Sequence, residues 1–505
     1  MTILRRDNVS KRKACGYVNR FFQPGTSVAG NIKKLRLRDS QKESTINGCS
    51  FEEFDNVAVE APSLYNPPKI KALFTKTDRG HNCIANITFG DKKVQFIAVD
   101  GSGLSQYEYE NPDIVIDKVN SGELGPIVLP NLTDLTAQQM AQIDAYAGSM
   151  WYCLFLKEVL DRVGIIDEDM VYLSVVNVNF ANAFWNSHYM TYGNGIENGV
   201  PQMKPLTSID VVGHESGHGI VEALGGLNYQ GESGALNESI ADILGTCLEK
   251  YYDMKSTKSL FDWDLGEDFI PGGLRSLSNP KSHRQPDCYQ GTNWFDPYSQ
   301  EDNGGVHVNS GVSNYFYYIT VTGGSGTNDK GQNYKVEQPF EMFKLAKLIY
   351  QSLKGGNNYN KITENATYRQ YAACLASNCP PFLEGEGLDA KLKDSVLQGL
   401  SGVGLSADGP TQPPDPTPWP GPNPQPDPNP QPDPCPVPDW PVPDWPLPDW
   451  PLPDWPVPDW PVPDWPWPLP DWEFPLPDWE FPWPWARAQL SVAGRCPWSG
   501  SALSF

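Results

Sequence analysis

The stretch Ser208 to Lys250, SIDVVGHESGHGIVEALGGLNYQGESGALNESIADILGTCLEK, constrains the fold more than any other part of the chain. It predicts two helices joined by a short polar connection. The first has a start signal at Thr207/Ser208, Asp210 in its first turn, apolar Ile209, Val212, Ile220, Val221 and Leu224, and a stop at Gly225-Gly226. Within it, His214 and His218 are four residues apart, so both imidazoles leave one face about 6 Å from each other, close enough to grip one cation. Glu215 sits beside them, placed to act on whatever that cation holds. Glu238 follows in the second helix, twenty residues after His218, and Asp242 comes one turn later.

Two histidines and a glutamate on a helix can equally form a solvated polar face; Glu238 and Asp242 tip the reading toward a metal. Two neutral imidazoles and one carboxylate leave a corner of a tetrahedral Zn²⁺ open, as a catalytic site requires, whereas a structural zinc usually recruits thiolates. Asp242 is suited to accept the outward N–H of a ligating histidine and fix its tautomer. A metzincin would need Gly and His where Val221 and Leu224 stand.

Elsewhere the chain is a mixture of short strands and helices. From about 21 to 135, β-prone runs such as CIANITFG and KVQFIAVD are cut by Gly, Asn, Pro and Asp. Residues 136 to 164 have helical spacing and a Gly stop, and their aromatic and aliphatic residues call for burial. MVYLSVVNVNF, 170 to 180, reads as a strand. Residues 1 to 20 are basic and unassigned; the expected division continues as 21 to 206, 207 to 405 and 406 to 505.

His214, Glu215, His218, Glu238 and Asp242 at these spacings, together with NAFWN at Asn182 to Asn186 and DNGGVHVNSG at Asp302 to Gly311, resemble the thermolysin family of zinc endopeptidases. The resemblance runs from about residue 140 to 405. It implies an α+β, bilobal fold: a β-rich N-terminal lobe, a central helix carrying the HExxH motif and a helical C-terminal lobe. Protein or peptide substrates would be cut by a zinc-bound water with Glu215 as general base. His307 and Tyr229 would donate to the oxyanion, and Asp302 would hold His307, although Tyr229 could also be plain core packing. Asn182 and Ala183 would pair with the substrate main chain along an edge strand, with Phe184 and Trp185 belonging to a buried aromatic strand in either case. Arg275 would bond the substrate carbonyl beyond the scissile bond. Val211, Leu274, Leu265, Leu206 and Met203 would line an apolar pocket selecting Leu, Phe or Ile on the amino side of which cleavage occurs. The stretch between Arg275 and His307 is longer than in thermolysin and includes Cys288, so the cleft shape there stays open.

Five carboxylates, Asp210, Glu249, Asp262, Asp264 and Glu267, fall where the family holds paired Ca²⁺; the alternative is a plain acidic surface. His81, His188 and His283 lie outside every motif and are read as surface or unliganded residues. A formal charge of −23 argues against nucleic acid. No stretch approaches 18 consecutive apolar residues, so no membrane span is expected. No secretory signal is visible at the start of the chain, yet the resemblance and ten cysteines point to an extracellular protein. Cys374 and Cys379 could pair. Sequons stand at Asn86, Asn131 and Asn365; Asn237 also fits the pattern, but its place in the metal motif argues against a glycan. A monomer is the expected state.

From about 406 the composition changes. A Pro/Asp/Gln stretch leads into PDWPV and PDWPL repeats from Pro438 to Trp465. Alternate prolines forbid helix and sheet ladders and favour polyproline II. Such a tail is an acidic spacer, or its regularly presented Trp rings engage an aromatic-groove domain or wall polymer. The expected function is therefore peptide hydrolysis, with a non-catalytic anchoring role as the alternative.

Overall fold

A computed structural model describes residues 43–46, 49–52, 56–65, 69–197, 199–256, 261–356 and 358–406. The basic N-terminal segment and the PDWPV/PDWPL tail lie outside the described residues.

The strands come first. β1 (Glu43–Ile46), β2 (Cys49–Glu52), β6 (Ile84–Phe89), β7 (Lys92–Asp100), β9 (Met170–Val178), β10 (Ala183–Trp185) and β11 (Met190–Gly193) form one sheet in the order β1-β2-β6-β7-β9-β11-β10. A second sheet has the order β3-β4-β5-β8, from β3 (Asn56–Pro62), β4 (Lys69–Thr77), β5 (Gly80–Asn82) and β8 (Val128–Leu129). β9 pairs in parallel with both β7 and β11. A central strand flanked in this way is covered on both faces, and every position of β9 after Met170 is buried. The predicted strand ends at Val178, two residues early, with Asn177 left-handed (φ 66°) beside the turn. β10 closes the sheet as its outermost strand, which leaves one side of its backbone free of a neighbouring strand.

Two short helices, α1 (Gln106–Tyr109) and α2 (Pro112–Ser121), precede the long α3 (Ala137–Leu160). Thr136 starts α3 with a capping box, its hydroxyl accepting from the Gln139 amide while the Gln139 side chain accepts from the Thr136 amide. α3 is buried almost throughout, as the spacing of its apolar residues requires. It stops at Asp161, in the left-handed region (φ 52°), and not at Gly164; the Asp161 carboxylate is fixed 2.7 Å from Lys157 one turn back.

α4 (Ile209–Leu224) and α5 (Gly231–Lys255) are the two helices of the motif, and both are buried over most of their length. They cross at close range because small residues face each other. A Cβ on Gly213 would lie 2.8 Å from the Gly245 Cα, and one on Gly217 would lie 2.9 Å from the Ala241 Cα. Ser208 occupies the position before α4 as predicted but gives no side-chain cap.

The rest is mainly helical: α6 (Asp302–Asn309), α7 (Gly311–Thr322), α8 (Met342–Lys354), α9 (Tyr368–Glu386) and α10 (Leu392–Gly402). The α+β expectation is met. Pairing of Cys374 with Cys379 is not: both lie on α9, where five residues turn the side chains about 140° apart, and both are buried free thiols. His81, expected at the surface, is half-buried with its ring edge-on to Phe74 at 5.9 Å.

Candidate metal centre

α4 delivers His214, Glu215 and His218, and α5 delivers Glu238. The Nε2 atoms of the two histidines are 3.0 Å apart; Glu238 Oε2 is 3.7 Å from His214 Nε2 and Glu238 Oε1 is 3.5 Å from His218 Nε2. A tetrahedral ion with bonds of about 2.0–2.1 Å separates its donors by about 3.3 Å, so one zinc fits between these three buried side chains. Among the described residues this is the only group of three or more His, Cys, Asp or Glu with donor atoms close enough to share an ion. Glu238 Oε2 is buried without a hydrogen-bond partner, as a ligand atom waiting for a cation should be.

The outer ring-nitrogens are held too. His214 Nδ1 lies 2.8 Å from Asp242 Oδ1. His218 Nδ1 lies 2.8 Å from Asn237 Oδ1. Asn237, considered from sequence only as a sequon, is therefore part of the site; it is 1% exposed and cannot carry a glycan. Asp242 also accepts from Arg275 Nη2 at 2.7 Å and from Asn314 Nδ2 at 2.8 Å. Arg275 reaches it from the short hairpin Asp264–Leu265 and Arg275–Ser276, and lies 3.6 Å from Glu238.

Charge follows from this packing. Burial works to raise the Glu238 carboxyl, but the imidazoles of His307, His218 and His214 and the Arg275 guanidinium outweigh it and hold the group far below the usual carboxylate range. Burial pushes His218 down to about 4, which keeps its ring neutral. His214 goes the other way: burial opposes its charge, and Asp242 and Glu238 more than compensate. Burial pushes Glu215 up to about 7. Its Oε2 accepts the backbone N–H of Trp185, on edge strand β10, at 3.0 Å, and the Trp185 indole in turn donates to Glu222 at 2.6 Å.

The DNGGVH segment presents the remaining polar groups. Asn303, Gly304 and Gly305 are all left-handed (φ 51°, 79° and 73°). A side chain on Gly304 would also meet Pro297 O at 2.2 Å, so the turn demands glycine there. It places His307 Nδ1 2.6 Å from Asp302 Oδ1 and His307 Nε2 3.1 Å from the Tyr229 hydroxyl, 3.3 Å from Glu238. Tyr229 also donates to Glu238 Oε1.

Asn182 and Ala183 stand at the start of β10, with Ala183 opposite Tyr192. Leu265 and Leu274 flank the Arg275 hairpin, the Leu274 amide bonding Leu265 O at 2.6 Å. Leu206, Val211 and Leu265 are buried, while Met203 and Leu274 are half-buried. Of the acidic group, Asp210 accepts from the Gly266 amide at 2.5 Å. One carboxylate oxygen each of Asp210, Glu249 and Glu267 is buried and unpaired. Burial, then the mutual repulsion of Asp210, Glu267 and Asp262, raises Glu249; burial and Asp210 raise Glu267 to about 9.

The fold and this constellation define a candidate metal centre of two histidines and one glutamate. Residues 106–222 match a family profile described as thermolysin metallopeptidase, catalytic domain, and residues 225–380 match thermolysin metallopeptidase, alpha-helical domain. The two matches together take in more than half of the chain, which belongs to the thermolysin metallopeptidase family. Bacillolysin of Bacillus cereus is 40% identical over 198 residues, 37% of this chain and 33% of the relative. A zinc metalloproteinase of Renibacterium salmoninarum is 34% identical over 232 residues, 45% and 38% of the two chains. Thermolysin of Bacillus caldolyticus is 38% identical over 281 residues, 52% and 45%. The chain thus spans between a third and a half of the length of these relatives. Among solved structures, the precursor of protealysin, a metalloproteinase from Serratia proteamaculans, aligns with a TM-score of 0.47 at 24% identity, covering 63% of this chain and 89% of that one. No helix among the described residues is long and apolar enough to cross a membrane.

Proposed function

We propose that the protein is a zinc-dependent endopeptidase that cleaves peptide bonds on the amino side of bulky hydrophobic residues, acting outside the cell. The observation that carries this reading is the position of Glu215: buried, held by the Trp185 amide, and next to the His214, His218 and Glu238 triad without itself being one of the three ligands. Bound by that triad, zinc would supply Lewis acidity and an activated water.

The chain's own residues do the rest. Ionised Glu215 accepts a proton and returns it to the leaving nitrogen. Tyr229 and protonated His307, steadied by Asp302, donate toward negative charge developing on the carbonyl oxygen. Asn182, just before the outermost strand, and Ala183, at its start, pair with the substrate main chain, and Arg275 bonds a carbonyl beyond the scissile bond while remaining anchored on Asp242. Val211, Leu206, Leu265, Leu274 and Met203 favour Leu, Phe or Ile; a methylene in such a pocket is worth only about 1–3 kcal/mol, so selectivity is broad.

Asp210, Glu249 and Glu267 each leave a buried carboxylate oxygen unpaired; with Asp262 and Asp264 they would take up a Ca²⁺ only by drawing closer together, since among the described residues only the triad already has its donors within one ion's reach.

The test is casein and peptide hydrolysis with and without a zinc chelator, for the wild type and Glu215→Gln. Unchanged turnover in the variant would overturn the mechanism, and a survey of cleavage sites dominated by charged residues would overturn the specificity.

A further inference from the structure

Away from the metal centre, a small cavity opens where four parts of the fold meet: the segment after β3, α3, the residues leading into α4, and α5. Its polar lining is Ser63, Tyr65, Asp144, Thr207 and Tyr252, with Ile70 on its apolar side, and its volume of about 10 Å³ admits one atom-sized guest. Asp144 is 3% exposed. Its Oδ2 accepts the Leu64 amide at 2.9 Å, but its Oδ1 is buried with no hydrogen-bond partner. Thr207 Oγ1 is likewise buried without a well-formed hydrogen bond; it faces the Tyr65 hydroxyl, as the Ser63 hydroxyl faces the Asp144 carboxylate. Tyr65 and Tyr252 spend their hydroxyl protons elsewhere, on Pro205 O and Lys69 O, which leaves oxygen lone pairs for the cavity. The Ser63 hydroxyl oxygen lies at the same wall, accepting from the Tyr65 amide at 3.1 Å.

Among the described residues no basic side chain lines the cavity. The charged neighbours act from outside: Asp268 repels Asp144, and Lys204 sits 5.7 Å from the centre of the Tyr65 ring with its ammonium on Asp268 O. A buried carboxylate with one empty oxygen must take up a proton or a cation, since an unpaired buried charge is costly. In the empty cavity burial pushes Asp144 up to about 8, the proton-bearing solution. The five oxygen donors offer the other. They carry one negative charge, so a monovalent ion leaves the interior neutral whereas a divalent ion would leave it positive.

We propose that this cavity binds a single monovalent cation, with Asp144 as its charged ligand and Thr207, Tyr65, Tyr252 and Ser63 as neutral donors, tying the segment after β3 to α3, α4 and α5.

The test is thermal unfolding of the full chain with zinc and calcium held in excess, so that the metal centre and the acidic group around Asp210 and Glu249 stay saturated. Tetramethylammonium chloride is replaced stepwise by sodium chloride at constant chloride. The wild type should gain Tm along a saturating curve. Asp144→Asn should show no saturable gain and, in tetramethylammonium alone, melt no lower than the wild type. Thr207→Val should raise the half-saturating sodium concentration by about tenfold, the loss of one oxygen donor. Should Asp144→Asn fail to fold, sodium-23 line broadening of the wild type, lessened in Thr207→Val, reads the same binding. An identical sodium response in all three proteins, or no saturable response of the wild type to sodium, overturns the proposal.

Discussion

Asn237 Oδ1 stands 2.8 Å from His218 Nδ1, one residue ahead of the glutamate that faces the other nitrogen of the same ring. One turn of α5 therefore supplies both a donor atom for the metal and the group that orients a ligand from α4. Groups in this outer layer typically set metal affinity by 10–100-fold. Asn237→Ala and Asp242→Asn should each weaken zinc binding within that range, measured by competition with a coloured chelator, while circular dichroism stays native.

Glu215→Gln preserves size and the hydrogen bond from Trp185 but removes the base. Peptide turnover should fall by about 10²–10⁴ with zinc content unchanged. Loss of zinc alongside activity would mean that Glu215 holds the metal and not the proton.

His307→Ala and Tyr229→Phe should each lower kcat by about 10²–10³ with smaller changes in KM, since their donors matter most once the oxyanion forms. A pure rise in KM would place them in substrate binding instead.

Burial puts Glu215 at about 7 in the metal-free site. A cation beside it favours the ionised form, so the acid limb of kcat/KM should have its midpoint below 7 and above the ordinary 4.5. Activity should fall as pH drops through that window, because the base is then protonated.

At the acidic group the sign is opposite. Glu267 is raised from 4.5 to about 9 without a cation, so the folded state prefers the protonated carboxyl, and stability falls as pH rises between those values. Calcium favours the ionised carboxylates. Its effect on Tm should therefore be larger at pH 8.5 than at pH 5.5, as scanning calorimetry would show.

Gly217→Ala adds a methyl 2.9 Å from the Ala241 Cα. Moving α4 off α5 should cost about 1–3 kcal/mol in a denaturant melt and weaken zinc binding, because the triad straddles the two helices.

The triad was legible because helical spacing alone fixes His214 against His218, and Asp242 follows from the same periodicity on α5. Asn237 was not, since its role depends on where the His218 ring comes to rest across the helix pair. The end of α3 was misjudged for a local reason: Asp161 adopts the left-handed conformation that Gly164 was expected to supply. Cys374 and Cys379 look paired only when their helix is ignored. Asp144 gave no signal at all, because nothing in its own sequence neighbourhood shows that Thr207 and Tyr252 end beside it.

Asp242 accepts from His214, Arg275 and Asn314 together. In the proposed peptidase, an arginine that turned part of its hydrogen bonding toward a peptide would loosen its hold on this carboxylate, and the imidazole sharing the carboxylate would become a stronger base. Occupancy of the cleft and electron donation to a bound ion would then be wired through a single side chain.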